Sequence, residues 1–199
     1  MKRITKSLIF ILLLPVLVLS GCSGNESDAV SAFEQTMSAF KSGSGDEIDK
    51  YYSFDRVTAY IDKADGEELR ETVLSTLSAM DYKINSTKAV NSESVILNVT
   101  FETADFSKIV GAFIDEAVKL TESGDYQRKI SVMSDEEYNR IMTEAMKKCI
   151  KDGVSEKRTQ TADVTMIKDS AGKWIIGGNS EEVLGILFAD LSEALDYLT

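Results

Sequence analysis

The sequence predicts an α+β domain built on an antiparallel sheet. Three observations carry that prediction. The apolar period changes from about 3.6 to 2 near residue 82, two alternating stretches each close through a short polar turn, and helical periods precede, interrupt and follow them. Short turns join antiparallel neighbours, because parallel ones need a long crossover.

Taken in order, Ser27 or Asp28 can cap a first helix carrying Val30, Phe33, Met37 and Phe40, which ends in Lys41-Ser42-Gly43-Ser44-Gly45. Asp46 starts a short second helix with Ile48, Tyr51 and Tyr52, and Gly66 precedes a third with Leu69, Val73, Leu77 and Met80 on one face. Tyr82, Ile84 and Ser86 then alternate in a first strand. Val95, Leu97, Val99 and Phe101 alternate in a second, with Asn98, Thr100 and Glu102 on its other face and Asn91-Ser92-Glu93 as the turn between.

Residues 105–152 read as a helical insertion between strands. Asp105 caps a helix carrying Ile109, Val110, Phe113, Ile114, Ala117 and Val118 that stops at Gly124, and Ile130 to Met133 forms a brief extended link. Ser134-Asp135-Glu136-Glu137 matches a capping box, in which hydroxyl and carboxylate satisfy each other's free backbone donors. The helix after it carries Tyr138, Ile141, Met142, Ala145, Met146, Cys149 and Ile150 and ends at Asp152-Gly153. Ala162, Val164 and Met166 then face one side of a strand, Asp169 to Lys173 turns the chain, and Trp174 and Ile176 share a face on the return. Ser180 caps a last helix with Leu184, Leu187, Phe188, Leu191, Leu195 and Leu198 as its stripe.

The first residues carry a different signal. Lys2, Arg3 and Lys6 precede an apolar run from Leu8 to Leu19 that Pro15 interrupts. As a helix this run spans about 18 Å, well short of the roughly 30 Å hydrocarbon core, so a signal segment is expected rather than a permanent span. Leu19-Ser20-Gly21-Cys22 resembles the lipobox of bacterial lipoproteins. That resemblance implies removal of residues 1–21 and a diacylglycerol on the sulfur of Cys22. It also implies localisation at the cell membrane, lipid-anchored on the extracytoplasmic side. An ordinary secretory signal with a chance cysteine is the alternative. Residues 22–27 are then the lipidated cysteine and a short linker, and 28–199 a single domain.

Charge and composition exclude several function classes. The formal charge is −11, and removing a signal segment with three basic and no acidic residues takes it to −14. Nucleic acid is not an expected partner, nor is a polybasic grip on anionic lipid. With Cys22 lipidated, Cys149 has no partner for a disulfide. The chain has no histidine, which removes Ser-His-Asp and Cys-His catalysis and the usual zinc sites. No metal and no cofactor is expected.

The remaining candidates are modest. Ser38…Lys41 and Ser170…Lys173 match Ser-x-x-Lys but lack its companion motifs. Asp62-Lys63-Ala64-Asp65-Gly66-Glu67-Glu68 lacks the alternating ligand spacing of a calcium loop, and acids favoured at a helix start explain it. Gly177-Gly178-Asn179-Ser180 could offer N–H groups to an anion, but a turn and cap account for it and Glu181 and Glu182 repel anions. Cys149 sits on an apolar stripe, as an inert buried thiol would. Tyr51, Tyr52, Phe54, Tyr60 and Trp174 are the candidate pocket-lining residues, with packing of helices on the sheet as the plainer account.

An early Phe33…Phe40…Tyr51-Tyr52-Ser53-Phe54 pattern, followed by a final hairpin ending Asp-Ser-Ala-Gly-Lys-Trp-Ile-Ile, resembles the nuclear transport factor 2-like (cystatin-like superfamily) class of small bacterial lipoproteins. It implies a curved, cone-like antiparallel sheet packed with N-terminal helices, from which residues 105–152 depart as an insertion. Catalytic residues are not assigned. The expected function is a non-catalytic domain binding a membrane-protein partner or a small ligand at the membrane. The rivals are an isomerase- or dehydratase-type enzyme pairing Asp/Glu with Tyr inside the cone, and a solute-binding accessory protein.

Overall fold

The computed structural model describes residues 24–61, 67–122, 133–188 and 191. Cys22 and the residues before it, residues 62–66 of the acidic run, Gly124, Ile130 and the final stripe residues Leu195 and Leu198 lie outside the described residues.

Strands Asp81–Asn91 (β1), Ser94–Ala104 (β2), Lys157–Lys168 (β3) and Trp174–Ile176 (β4) pair antiparallel in chain order, forming a curved four-stranded sheet. Ahead of it come helices Gly24–Ser42 (α1), Gly45–Asp49 (α2), Phe54–Ile61 (α3) and Glu67–Ser75 (α4), the last running into a 3₁₀ turn over Thr76–Ala79. Helices Phe106–Glu122 (α5) and Asp135–Gly153 (α6) lie between β2 and β3, and Ser180–Leu187 (α7) follows β4. The architecture is α+β, with N-terminal helices, a helical insertion and a C-terminal helix on one antiparallel sheet.

The insertion leaves the sheet and returns to it at one point. β2 and β3 pair without interruption from Ser94↔Ile167 to Ala104↔Lys157, although residues 105–156 separate them. At the neck the Asp105 N–H donates to the Glu156 carbonyl at 2.9 Å, and Lys108 Nζ reaches the Glu156 carboxylate at 3.0 Å. Ser134 caps α6 as its motif predicts, its hydroxyl accepting from the Glu137 N–H at 3.2 Å.

One face of the sheet makes the core. Val95, Leu97, Val99 and Phe101 of β2 and Val164 and Met166 of β3 are fully buried, packed with Phe33, Met37 and Phe40 of α1 and Leu184 and Phe188 near the C-terminal helix. Phe33 meets both Tyr82 and Phe101 edge-on, with ring centres 5.5 and 6.3 Å apart. The third predicted helix buries its expected stripe, Leu69, Val73, Leu77 and Met80, but tightens into the 3₁₀ turn before the last of them.

The structure differs from the sequence expectations in five places. Residues 24–27, expected as linker, form the first turn of α1. The helix gains there because Glu26 sits where the dipole favours an acid and its carboxylate accepts the Ala89 N–H at 2.9 Å. Tyr51 and Tyr52 follow α2 instead of extending it, and Phe54–Ile61 is a helix of its own with Val57 and Ile61 buried. In β1 the register shifts between Ile84 and Ser86, so Ser86 pairs with Asn98 on the exposed face and does not continue the inward set. Ile114, Val118 and Tyr138 remain exposed, since the insertion buries only one stripe of each helix. Ser180 is the first residue of α7 rather than its cap. Asn179 holds the cap position, but its amide oxygen accepts the Thr165 N–H at 3.1 Å and its nitrogen donates to the Asp163 carbonyl, extending the edge of β3.

Candidate functional site

An open surface groove of about 710 Å³ lies between the α2–α3 connection, the β3–β4 hairpin and the start of α7. Local rules place each wall. Gly172, at φ +78°, lets the β3–β4 turn close tightly, and the Asp169 carboxylate accepts the N–H groups of Ala171 and Lys173 at 2.8 and 2.9 Å. Across the groove, Asp49 Oδ1 accepts the Phe54 N–H at 3.1 Å and so fixes the start of α3. Gly45 permits that arrangement, since a Cβ there would lie 2.6 Å from the Phe54 ring.

Four side chains give the groove its chemistry. Tyr52 is buried against Phe40, with ring centres 5.3 Å apart, and its hydroxyl donates to the Ser180 carbonyl at 3.4 Å. Burial raises its phenol above the ordinary value. Arg56 Nη1 donates to Ser180 Oγ at 2.9 Å. Lys173 Nζ donates to the Lys50 carbonyl at 2.8 Å and lies 5.2 Å from the centre of the Tyr51 ring, within cation–π range. Ile167, Ile175 and Ile176 add apolar surface, and Glu181 stands at the rim. Lys50, Arg56 and Lys173 are balanced in the lining by Asp49, Asp169 and Glu181, so two phenol rings and an apolar wall suit a ligand or peptide segment with an apolar body and polar groups of either sign.

The candidate residues separate in three dimensions. Tyr51 and Tyr52 line the groove together, and the turn at Gly177, Gly178 and Ser180 joins them. Phe54 packs half-buried against the core and is not in the lining. The side chain of Tyr60 lies outside the described residues. Trp174 is 7% exposed, faces the core, and its indole N–H has no hydrogen-bond partner among the described residues, while Lys168 Nζ sits 5.0 Å from its ring centre. Arg56 and Lys173 were missed as site residues. Arg56 follows Tyr52 by four positions, a spacing that becomes a clue only once the intervening turn is known.

Other candidate chemistry resolves into structure. Glu68, from the acidic run, pairs with Lys147 and joins α4 to α6, and that hydrogen bond holds its carboxyl below the ordinary value. Cys149 forms part of a smaller cleft of about 340 Å³ between α5 and α6, and burial raises its thiol, which disfavours the nucleophilic thiolate. Among the described residues no carboxylate is buried, no group of three His, Cys, Asp or Glu side chains could hold a metal, and no helix is long and apolar enough to cross a membrane.

No known family profile and no curated protein matches the chain. Among solved structures, it is similar to the crystal structure of ycdA from Bacillus subtilis subsp. subtilis str. 168, a protein described as a candidate lipoprotein. The two share 15% identity with a TM-score of 0.51 over 85% of this chain. The match covers 55% of the solved chain, so this chain spans about half its length. At that identity the likeness speaks for a shared fold.

Proposed function

We propose that the chain is a lipoprotein, tethered by diacylglycerol on Cys22 to the extracytoplasmic face of the cell membrane, whose groove binds a membrane-protein partner or a small ligand. One observation carries the binding reading: the groove of Tyr51, Tyr52, Arg56 and Lys173 is open, and of its three carboxylates Asp49 and Asp169 fix turns while Glu181 stands at the exposed rim. Proton-transfer catalysis in a cone pocket needs a carboxylate in a closed cavity beside a tyrosine. Here the inward side of the sheet is filled by Phe33, Leu97, Phe101 and Phe188, and the Tyr52 hydroxyl donates to a backbone carbonyl. The lipobox resemblance of residues 19–22 supports the anchor, as does the description of the ycdA neighbour, and the nuclear transport factor 2-like class remains the superfamily reading.

Metabolic labelling with a radioactive fatty acid tests the anchor. Cys22→Ala should lose the label and leave a slower-migrating precursor that retains its signal segment. Unchanged membrane association and mobility, with no label to lose, would refute it. A photo-crosslinking side chain at Tyr51 tests the groove: an adduct that Lys173→Glu abolishes is expected, and an adduct indifferent to Lys173 and Arg56 would count against it.

A further inference from the structure

We propose that one end of the domain, formed by the first turn of α1, the β1–β2 turn and Lys168, is a docking surface for the lipid bilayer, and that it holds the body in a single orientation. The inference rests on the anchor at Cys22. Its starting point is how little chain separates that anchor from rigid structure. Gly24 is already helical, so the chain from Cys22 to α1 reaches at most about 7 Å, comparable to the thickness of one headgroup layer.

The start of α1 is itself fastened to the sheet. Glu26 Oε1 accepts the Ala89 N–H at 2.9 Å, Asn25 Oδ1 accepts from Lys168 Nζ at 3.2 Å, and the Lys168 N–H donates to the Glu93 carbonyl at 3.0 Å. Helix start, hairpin tip and the end of β3 therefore move as one piece, and whatever holds Cys22 at the bilayer brings this piece with it. Val90, 54% exposed, stands at this tip. The other large exposed apolar side chains among the described residues, Ile114, Val118 and Tyr138, are on the inserted helices. Lys88 and Lys168 are outweighed by Glu26, Asp28, Glu93 and Asp169. Charge therefore supplies no polybasic grip, and the surface orients a body already tethered, where the effective concentration of bilayer is high. Asp169 of the groove follows directly on Lys168 and Lys173 closes the same turn, which brings the groove rim to the same end.

The test uses full-length lipidated protein in vesicles of phosphatidylglycerol and phosphatidylethanolamine with brominated acyl chains. A bimane label is attached at Ser92→Cys or, at the opposite end of the hairpin, Glu102→Cys, each with Cys149→Ala. The mass of Cys22 is checked first. Quenching at 92 and none at 102 is expected. It should persist when a ten-residue Gly-Ser segment is inserted between Ser23 and Gly24, and fall roughly tenfold when Val90→Asp is added to that extended form. Lipid present on Cys22 with equal quenching at both sites, or quenching at 92 that vanishes on lengthening the tether, overturns the docking surface and leaves the anchor standing. Absence of lipid on Cys22 overturns the anchor and the proposal with it.

Discussion

The two faces of β2 are built from alternate residues of one strand and meet opposite fates. Val95, Leu97, Val99 and Phe101 point inward and are fully buried. Asn98 and Thr100 point outward and join a polar row: Asn85 Nδ2 donates to Asn98 Oδ1 at 3.0 Å and to Thr100 Oγ1 at 2.9 Å, Asn98 donates to Asp163 at 2.7 Å, and Thr100 and Thr161 share a hydrogen bond of 2.8 Å. The inward face is stabilised by area removed from water, the outward face by exchangeable bonds that water can replace. The difference teaches where stability resides, and mutations can measure it.

The largest effect is expected from Phe101→Ala. Deleting a fully buried ring leaves a cavity beside Phe33 and should cost about 3–5 kcal/mol in denaturant unfolding. A loss under about 1 kcal/mol would show that the inward face is not the core. Next comes alkaline pH. Burial holds the phenols of Tyr82, beside Phe33, and Tyr52, beside Phe40, above their ordinary value. The unfolded chain therefore releases these protons first, near pH 10. The stability they contribute is intact below that pH and is lost as pH rises through their folded values. Stability curves from pH 8 to 11 should fall in the parent and flatten in Tyr52→Phe and Tyr82→Phe.

Smaller effects should mark the polar row and the edge. Asn98→Ala removes bonds to Asn85 and Asp163 in a solvated setting, and a loss of about 1 kcal/mol is the expected ceiling. Trp174→Phe removes ring area together with an indole N–H that lacks a partner among the described residues, so thermal unfolding should register less than about 1 kcal/mol. Glu102→Lys, exposed on the outward face, should stay within about 0.5 kcal/mol. A larger loss at Glu102 than at Asn98 would reverse the proposed ranking of the outward positions.

Local periodicity made much of the fold legible. The strict alternation of residues 95–101, the stripe Leu69, Val73, Leu77 and Met80, and the capping motif at Ser134 each state their structure within a few residues. The misses share a cause. Helix α3 was hidden because Tyr51-Tyr52-Ser53-Phe54 reads equally as helix or turn. The Asn85 bulge was hidden because an added residue looks like ordinary alternation until the partner strand sets the register. Asn179 was read as part of a cap region, yet it spends its side chain on β3.

The candidate site was half legible. Tyr51 and Tyr52 stand out as paired amphipathic rings, but nothing local couples them to Lys173 or Ser180, and Arg56 meets Tyr52 only through the turn before α3. The contacts of Arg56 and Tyr52 to Ser180 cross 124 and 128 residues of chain. Those distances close only because residues 105–156 return to their own starting point, which lets β3 pair along all of β2 and delivers the β3–β4 turn to α2. By itself, then, the amino-acid order determined the α+β class, the inward set of β2 and the lipobox resemblance, because each is written in nearest-neighbour spacing. Tertiary structure decided which rings share a groove with which cations, and that the first turn of α1 is tied to β1 through Glu26 and Ala89, because both depend on where distant segments meet.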